Sequence, residues 1–251
     1  MTAALTIAGR ELRALFRSPL AWLILAGADF VLAWVFLWFV QQFVTASGRT
    51  AASVHAPGVT GAVAAPAFFW ASVVLVVLTP LMAMRLIAEE RRTGTIRLLR
   101  AAPVSTTAFV LGKFLALIVF LWVVVAVAAA MPLTLELGTR LDLGRLASGV
   151  LGLALVAAAF GAVSLFMSSL TRQPLVAALS SFGALIVLWI VNLAAAAPGS
   201  AGGLAWLAFQ PHLGALFRGV VDTSDLAYFA ILTTLFLGLT IWRLDAERLG
   251  G

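Results

Sequence analysis

The chain has no cysteine and few charged residues. Among its 251 residues are two histidines and ten acids. Without cysteine it can form no disulfide, thiolate nucleophile or Cys-ligated metal site. Charged residues make up 10% of the chain, against about 25% in soluble domains, too few to coat a water-soluble globule of this length. A hydrophobic content of 63% excludes a disordered chain.

Motifs for nucleotide hydrolysis and for common hydrolases are also absent. Gly112-Lys113 is followed by Phe114, so the chain has no phosphate-binding GxxxxGK[ST] loop, and neither HExxH nor GxSxG occurs. His55 and His212 fall in separate loops. We therefore expect no catalytic residue, metal site or cofactor in this chain.

Long runs without Asp, Glu, Lys or Arg dominate the sequence. A membrane-spanning helix needs about 20 apolar residues, and several charge-free runs are long enough for one. Trimmed at Pro, Gly and polar clusters, they predict an all-α integral membrane protein with six transmembrane helices: Leu20–Val44, Ala67–Ile87, Thr107–Leu133, Leu146–Leu170, Leu175–Ala196 and Leu226–Trp242.

The positions of the cations predict the orientation of these spans. With the N-terminus inside, twelve of the sixteen Lys and Arg residues lie in inside segments. The four on the outside are Arg49, Arg140, Arg145 and Arg218. This bias predicts that both termini are cytoplasmic. It also accounts for the net charge of +6 without nucleic acid.

The first nineteen residues predict a helix lying on the membrane surface. Leu5, Ala8, Leu12, Leu15 and Phe16 follow a helical spacing, and cations occupy other positions. Such a pattern is typical of an interfacial amphipathic helix, which Ser18-Pro19 would end before the first span. The alternative is a generic basic flank.

The cytoplasmic loop over residues 88–105 concentrates charge. Glu89, Glu90, Arg91 and Arg92 follow the second span directly, and Gly94 allows a sharp reversal. A short amphipathic helix is predicted over residues 95–100, before Pro103. This charged knob predicts a docking site for a cytoplasmic partner. An ordinary solvated loop would explain the cations, but not the acids or the apolar Leu98 and Leu99.

Two further features lie on the outer side and within the membrane. Residues 198–225 are too polar and glycine-rich for one span, and they predict half-embedded helices or a re-entrant hairpin. Asp29 is the acid inside a span, about nine residues in and near the midplane. It is either a pathway or proton-coupling residue, or a structural acid hydrogen-bonded to a group such as Asn192.

Four stretches resemble a known family of membrane proteins. They are RELRALFRSPLAWL from Arg10, PLMAMRLIAEERRTGTIRLLRAAPVSTTAFVLGKF from Pro80, SSLTRQPLVA from Ser168 and FRGVVDTSDLAYFAILTTLFLGLT from Phe217. Together they resemble the permease subunit of ABC-2 type (type V exporter-like) transporters, within the branch of gliding-motility and nitrous-oxide-reductase maturation permeases. The second stretch is the most specific.

The resemblance implies one permease domain over residues 1–251 that works with other subunits in a bacterial cytoplasmic (inner) membrane. It implies a dimer, either a homodimer or a pairing with a related permease, bound by two copies of a cytoplasmic ABC ATPase that holds ATP and Mg²⁺. It allows an extracytoplasmic accessory protein and contact with membrane lipid, but no nucleic acid. The resemblance assigns no role to Asp29.

The family's coupling and elbow helices map onto the two charged segments described above. The residues implied to couple to the ATPase are Glu89, Glu90, Arg91, Arg92, Gly94 and Thr95. The elbow helix is implied to carry Arg10, Glu11, Arg13 and Arg17.

The expected function is therefore that of an ATP-driven export permease, and two other functions remain open. One is a membrane scaffold that anchors an ATPase without classical cargo. The other is a secondary transporter driven by protons through Asp29. The apolar spans favour a lipid-like, hydrophobic or polymer cargo, or no cargo.

Overall fold

A computed structural model describes residues 2–50, 58–94, 105–195 and 206–249. Within these ranges every regular element is helical. The α-helices are α1 (Thr2–Arg17), α2 (Pro19–Thr50), α3 (Ala65–Ala83), α4 (Ala88–Thr93), α5 (Thr106–Leu133), α6 (Leu143–Leu170), α7 (Pro174–Ala195), α8 (Phe209–Phe217) and α9 (Thr223–Leu249). A π-helix, Thr60–Ala64, leads into α3, and a 3₁₀-helix, Thr134–Leu137, follows α5.

Six of the helical stretches in the described ranges are long and apolar enough to cross a membrane. They contain α2, α3, α5, α6, α7 and α9, as the sequence predicted. A helix that is apolar on all sides must be surrounded by lipid or by other apolar helices. The predicted all-α fold with six spans is therefore confirmed.

Most helix boundaries follow from local chemistry. The Oδ1 atom of Asp142 accepts a hydrogen bond from the backbone N–H of Arg145 (3.0 Å), and Ser105 Oγ accepts one from the N–H of Ala108 (3.2 Å). Such N-caps satisfy amide groups that have no partner within the helix. Ser18 separates α1 from α2, and α2 begins at Pro19, where a proline is tolerated. The sequence predicted this break.

Two predicted helix ends fell more than a turn short of the observed ends. The first span was predicted to end at Val44, but α2 continues to Thr50, and the last was predicted to end at Trp242, but α9 continues to Leu249. The last residues of both helices are mostly polar or charged, so the apolar pattern stops before the helix does. The difference matters for α9, because its last turns carry the ion pairs of Glu247 with Arg91 and Arg243.

The core of the bundle is built around α6. This helix packs against α3, α5, α7, α8 and α9, and its buried residues include Leu153, Val156, Phe160 and Leu165. Glycines allow the close approach, since a Cβ on Gly149 would come within 2.6 Å of the Phe68 ring. The four-residue spacing of small residues, such as Ala157 and Gly161, therefore serves packing within the chain.

By contrast, α2 lies at the edge of the bundle. Its large exposed apolar side chains are Trp22, Leu23, Phe30, Val31, Trp34, Leu37 and Trp38. An apolar surface of this size would be unfavourable in water but suits contact with lipid.

Both termini lie at the same end of the bundle as α4. Arg10 of α1 is 3.9 Å from Glu90, and Glu247 of α9 is 2.8 Å from Arg91. We call this end the α4 end and the opposite one the α8 end. Placing both termini on one side agrees with an even number of spans.

At the α8 end, short α8 is held by side chains of α6. Arg145 Nε donates to the carbonyl of Phe217 (2.9 Å), and Ser148 Oγ donates to the carbonyl of Leu216 (2.7 Å). Both contacts satisfy carbonyls at the C-terminus of α8, which lack partners within the helix and attract a cation. The half-embedded position predicted for residues 198–225 remains a prediction.

The buried residues His212 and Asp225 join α8 to α9. The His212 Nδ1 atom lies 2.6 Å from Asp225 Oδ1, and Nε2 lies 3.0 Å from the carbonyl oxygen of Trp206. Tyr228 stacks on the imidazole with a centroid distance of 4.4 Å. Both ring nitrogens of His212 thus have a polar partner, as a buried imidazole requires.

Helix α1 packs onto α5 at Gly112. This glycine has no side chain that would hold the two helices apart. A Cβ there would lie 2.8 Å from both the Ala4 carbonyl oxygen and Ile7 Cβ. Of the predicted apolar set, Leu12, Leu15 and Phe16 pack against the core together with Ile7, whereas Leu5 is 61% exposed. The membrane-surface position predicted for this helix stays a prediction.

Gly112→Ala should therefore loosen α1 from α5 and lower the free energy of unfolding by about 1–3 kcal/mol, the usual effect of overpacking. Thermal unfolding in detergent measures the change, and trypsin cleavage at Arg13 reports on the release of α1. The matched control is Gly183→Ala, because a Cβ at Gly183 meets nothing within 4 Å. Equal stabilities for the two variants would contradict the contact.

Candidate functional site

The charged residues of α4 divide into an inward set and an outward set. Glu90 and Arg91 point into the bundle, where each is bound by other helices. Glu89 and Arg92 form an ion pair at 3.1 Å on the outer side, with side chains 37% and 61% exposed. The sequence predicted that these four residues form one surface. In the helix, however, two of them face the bundle and two face outward.

Lys113 is the centre of the inward set. Its side chain is only 1% exposed, and Nζ lies 2.8 Å from Glu90 Oε1 and 3.3 Å from Glu11 Oε1. Arg10 completes this Lys113 cluster, 3.0 Å from Glu11. The cluster holds two cations and two carboxylates, of which Lys113 is buried, Glu11 and Glu90 are mostly buried and Arg10 is exposed, so each carboxylate has a cationic partner.

The Lys113 cluster joins three helices that are separate in sequence. Glu11 comes from α1, Glu90 from α4 and Lys113 from α5. The predicted elbow helix and the predicted coupling segment are therefore in direct contact. Arg13 and Arg17 of the predicted elbow set do not take part and are exposed.

A second cluster ties α4 to the last span. Arg91, whose side chain is 8% exposed, pairs with Glu247 at 2.8 Å, and Arg243 pairs with the same carboxylate at 3.2 Å. We call these three residues the Glu247 cluster. Arg243 and Glu247 were not among the predicted site residues, because the last span was predicted to end before them.

The turn between α3 and α4 is held by Ser168 of α6. Its Oγ donates to the carbonyl of Met84 at 3.2 Å and accepts from the amides of Ile87 and Ala88 at 3.3 and 3.2 Å. Gly94 ends α4 with φ of 75°, a left-handed conformation that favours glycine. Gly94 thus has the backbone conformation that a reversal needs, but the predicted reversal itself stays a prediction, because Thr95 and the helix predicted over residues 95–100 lie outside the described residues.

An open cleft of about 530 Å³ lies beside the outward side of α4. Arg85, Glu89 and Arg92 line one wall, and Gln173 and Leu175 at the start of α7 line the other. The cleft is therefore bounded by the turn after α3, by α4 and by the start of α7. It is an open concave surface lined by both charged and apolar side chains.

Asp29 lies apart from these clusters. Its Oδ1 atom is buried and has no hydrogen-bond partner among the described residues. The side chain of Asn192, its suggested partner, lies outside the part of the chain whose side chains are described. Among the described residues, no cation lies within ion-pair distance of Asp29.

Comparison with known proteins agrees with the six-span architecture. The family model described as "ABC-2 family transporter protein" matches residues 5–249, nearly the whole chain. The chain belongs to the ABC-2 transporter family. It is thus a multi-pass membrane protein and a permease subunit of an ABC transporter, in a family whose members typically pair with an ATPase subunit. A search of curated proteins found no match.

The narrower branch suggested by the sequence stays a prediction. Among the described residues, no group of three or more His, Asp or Glu residues could hold a metal ion. The permease therefore offers, in those ranges, ion-pair clusters and a cleft but no metal centre.

In this permease, Lys113→Met should be strongly destabilising, because Glu11 and Glu90 would remain buried without their shared cation. Breaking one partner of such a set costs about 3–5 kcal/mol. Thermal unfolding in detergent measures the loss. Combining Lys113→Met with Glu11→Gln and Glu90→Gln should restore most of the stability.

Arg92→Gln is the control for this experiment, since its ion pair with Glu89 is exposed and worth about 0–1 kcal/mol. A loss for Lys113→Met no larger than that for Arg92→Gln would contradict the role assigned to the Lys113 cluster.

Proposed function

We propose that this permease moves a substrate across the bacterial cytoplasmic membrane when a separate ABC ATPase pushes on α4. The supporting observation is that α4 is bound to four other helices at once. The Lys113 cluster binds it to α1 and α5, the Glu247 cluster to α9, and Ser168 to α6. A displacement of α4 would therefore be transmitted to three membrane spans.

The division of the charges on α4 supports this proposal. Outward-facing Glu89 and Arg92 border the cleft beside α7 and would contact the ATPase. Inward-facing Glu90 and Arg91 would transmit the movement to the bundle. In this proposal the α4 end is cytoplasmic, ATP and Mg²⁺ are held by the partner, and two permeases assemble with two ATPase copies.

Reversing the outward charge tests the docking surface. Arg92→Glu should reduce recovery of the co-expressed cognate ABC ATPase by about tenfold, the effect expected from losing one charge-assisted contact and adding a repulsion. The amount of ATPase that co-purifies from detergent, and its stimulated hydrolysis rate, are the measurements.

The control is Arg140→Glu, which reverses an exposed charge at the α8 end. It should leave ATPase recovery unchanged. If Arg92→Glu still binds and stimulates the ATPase, α4 is not the docking surface, and if the unmodified chain recovers no ATPase, the proposed function itself is wrong.

Asp29 distinguishes this proposal from proton-driven transport. Because Asp29 forms no ion pair with the described residues and Oδ1 has no hydrogen-bond partner there, Asp29→Asn should leave ATP-dependent activity within about twofold of the unmodified protein, as expected for a residue outside the coupling path. ATP hydrolysis by the complex in proteoliposomes, with and without a proton gradient, is the measurement. Activity that needs the gradient and is lost in Asp29→Asn would favour the proton-coupled function.

A further inference from the structure

The outer face of α1 carries three arginines. Arg10, Arg13 and Arg17 are all exposed. Because an α-helix turns by about 100° per residue, the three side chains leave the helix within an arc of about 60°. Leu15, which packs against the core, lies nearly opposite to them. We call these three residues the arginine face.

Two of these three charges are not offset by an acid. Arg10 is 3.0 Å from Glu11, so its charge is balanced within the Lys113 cluster. Arg13 and Arg17 form no ion pair with any of the described residues. Glu11 is the acid of α1, and it is directed toward Lys113. Among the described residues, the arginine face therefore has an excess of two positive charges.

The junction of α1 and α2 places this face beside the first span. Helix α1 ends at Arg17, and the span begins at Pro19. The indole N–H of Trp22 donates to the carbonyl of Phe16 at 2.7 Å. Tryptophan at the end of a span prefers the headgroup level of a bilayer. In a membrane Arg17 therefore lies at that level, with the rest of the arginine face one and two turns away.

The neighbours of the arginine face are suited to lipid. Leu20, Trp22 and Leu23 at the start of α2 are exposed, and they belong to a helix that is long and apolar enough to span a membrane. A leaflet supplies acyl chains for these side chains and, at the same place, phosphates for the arginines. Arginine reaches such phosphates readily, because its apolar stem can lie along the hydrocarbon while the guanidinium stays at the interface.

The sign of the excess charge indicates which headgroup fits. A guanidinium group binds a phosphate through two parallel hydrogen bonds. A zwitterionic phospholipid brings its own cation next to that phosphate, and Arg13 and Arg17 provide no carboxylate for this cation. An anionic phospholipid has no such cation, so its net charge complements the face. Each cation close to an anionic bilayer strengthens binding about fivefold.

We propose that the arginine face of α1 binds the headgroups of anionic phospholipids in the leaflet at the α4 end. Arg13 and Arg17 bind the phosphates. Glu11, held by Lys113, keeps the opposite side of α1 against the bundle, so the arginines stay directed toward the leaflet. The site does not involve the ATPase, so it is tested on the permease alone, and its failure would leave the proposed coupling function unaffected.

The absence of cysteine allows a single fluorophore to be attached to the full-length permease. Ala14→Cys places it at an exposed position next to the arginine face. The labelled protein is studied in nanodiscs of equal parts phosphatidylglycerol and phosphatidylcholine, and a nitroxide on the acyl chain of either lipid quenches the fluorophore. The relative quenching gives the preference for one lipid at this position. Phosphatidylglycerol should be favoured about 25-fold, or about fivefold for each unpaired arginine.

Removing the two charges should remove this preference. Arg13→Gln combined with Arg17→Gln should lower it to about twofold or less, whereas Arg13→Lys combined with Arg17→Lys keeps both charges and should retain most of it. Raising the salt concentration from about 0.15 M to about 1 M should also weaken it, because the Debye length falls from about 8 Å to about 3 Å. Both arginines are exposed, so these substitutions should leave folding intact.

Two controls test whether the effect belongs to the arginine face. Arg172→Gln removes an exposed cation at the α4 end outside α1 and should leave the preference at Ala14 unchanged. A fluorophore on Leu179→Cys, at an exposed position in the first turns of α7, should report a preference of about twofold or less. A preference at Ala14 no stronger than at Leu179, or one that survives the loss of both arginines, would overturn the proposal. If the loss of both arginines reduced ATPase recovery and left the lipid preference unchanged, the face would instead bind the ATPase, and the proposal would be wrong.

Discussion

The arrangement of the α4 end depends on the burial of one ammonium group. Lys113 sits almost wholly out of solvent in a chain that is 63% hydrophobic, where an unpaired charge would be very unfavourable. Its carboxylate partners come from α1 and α4, so these two helices must stay in place for the charge to be balanced. This electrostatic requirement holds α1, α4 and α5 together.

Helix α6 links this unit to the other end of the molecule. Near its C-terminus, Ser168 holds the turn that leads into α4, and near its N-terminus, Arg145 and Ser148 hold the carbonyl end of α8. The same buried helix thus fixes a short helix at each end of the bundle. Its glycines let neighbouring spans pack directly against it, and such close packing allows little relative movement between the two ends.

Sequence patterns located the spans and the charged segments, but they did not show which charges meet. Glu89 and Glu90 are adjacent in sequence, yet a helix turns by about 100° per residue, so one faces solvent and the other faces Lys113. Lys113 falls within the predicted span Thr107–Leu133 and was not among the predicted site residues. Arg243 and Glu247 were missed because the apolar signal stops at Trp242, while the helix continues. Leu5 matched the apolar spacing of α1 but lies away from the contact with α5.

The sequence by itself determined that the protein is a helical membrane protein with six spans, because span length and apolar composition are local properties that lipid imposes on each segment. It also located the charged segment after the second span and showed that no phosphate-binding loop is present. Only the tertiary structure decided the pairing of Lys113 with Glu11 and Glu90, and of Arg91 with Glu247. The partners lie on different helices and are separated by between 23 and 156 residues in the sequence. Whether they meet depends on how the helices pack and rotate, which no local pattern encodes.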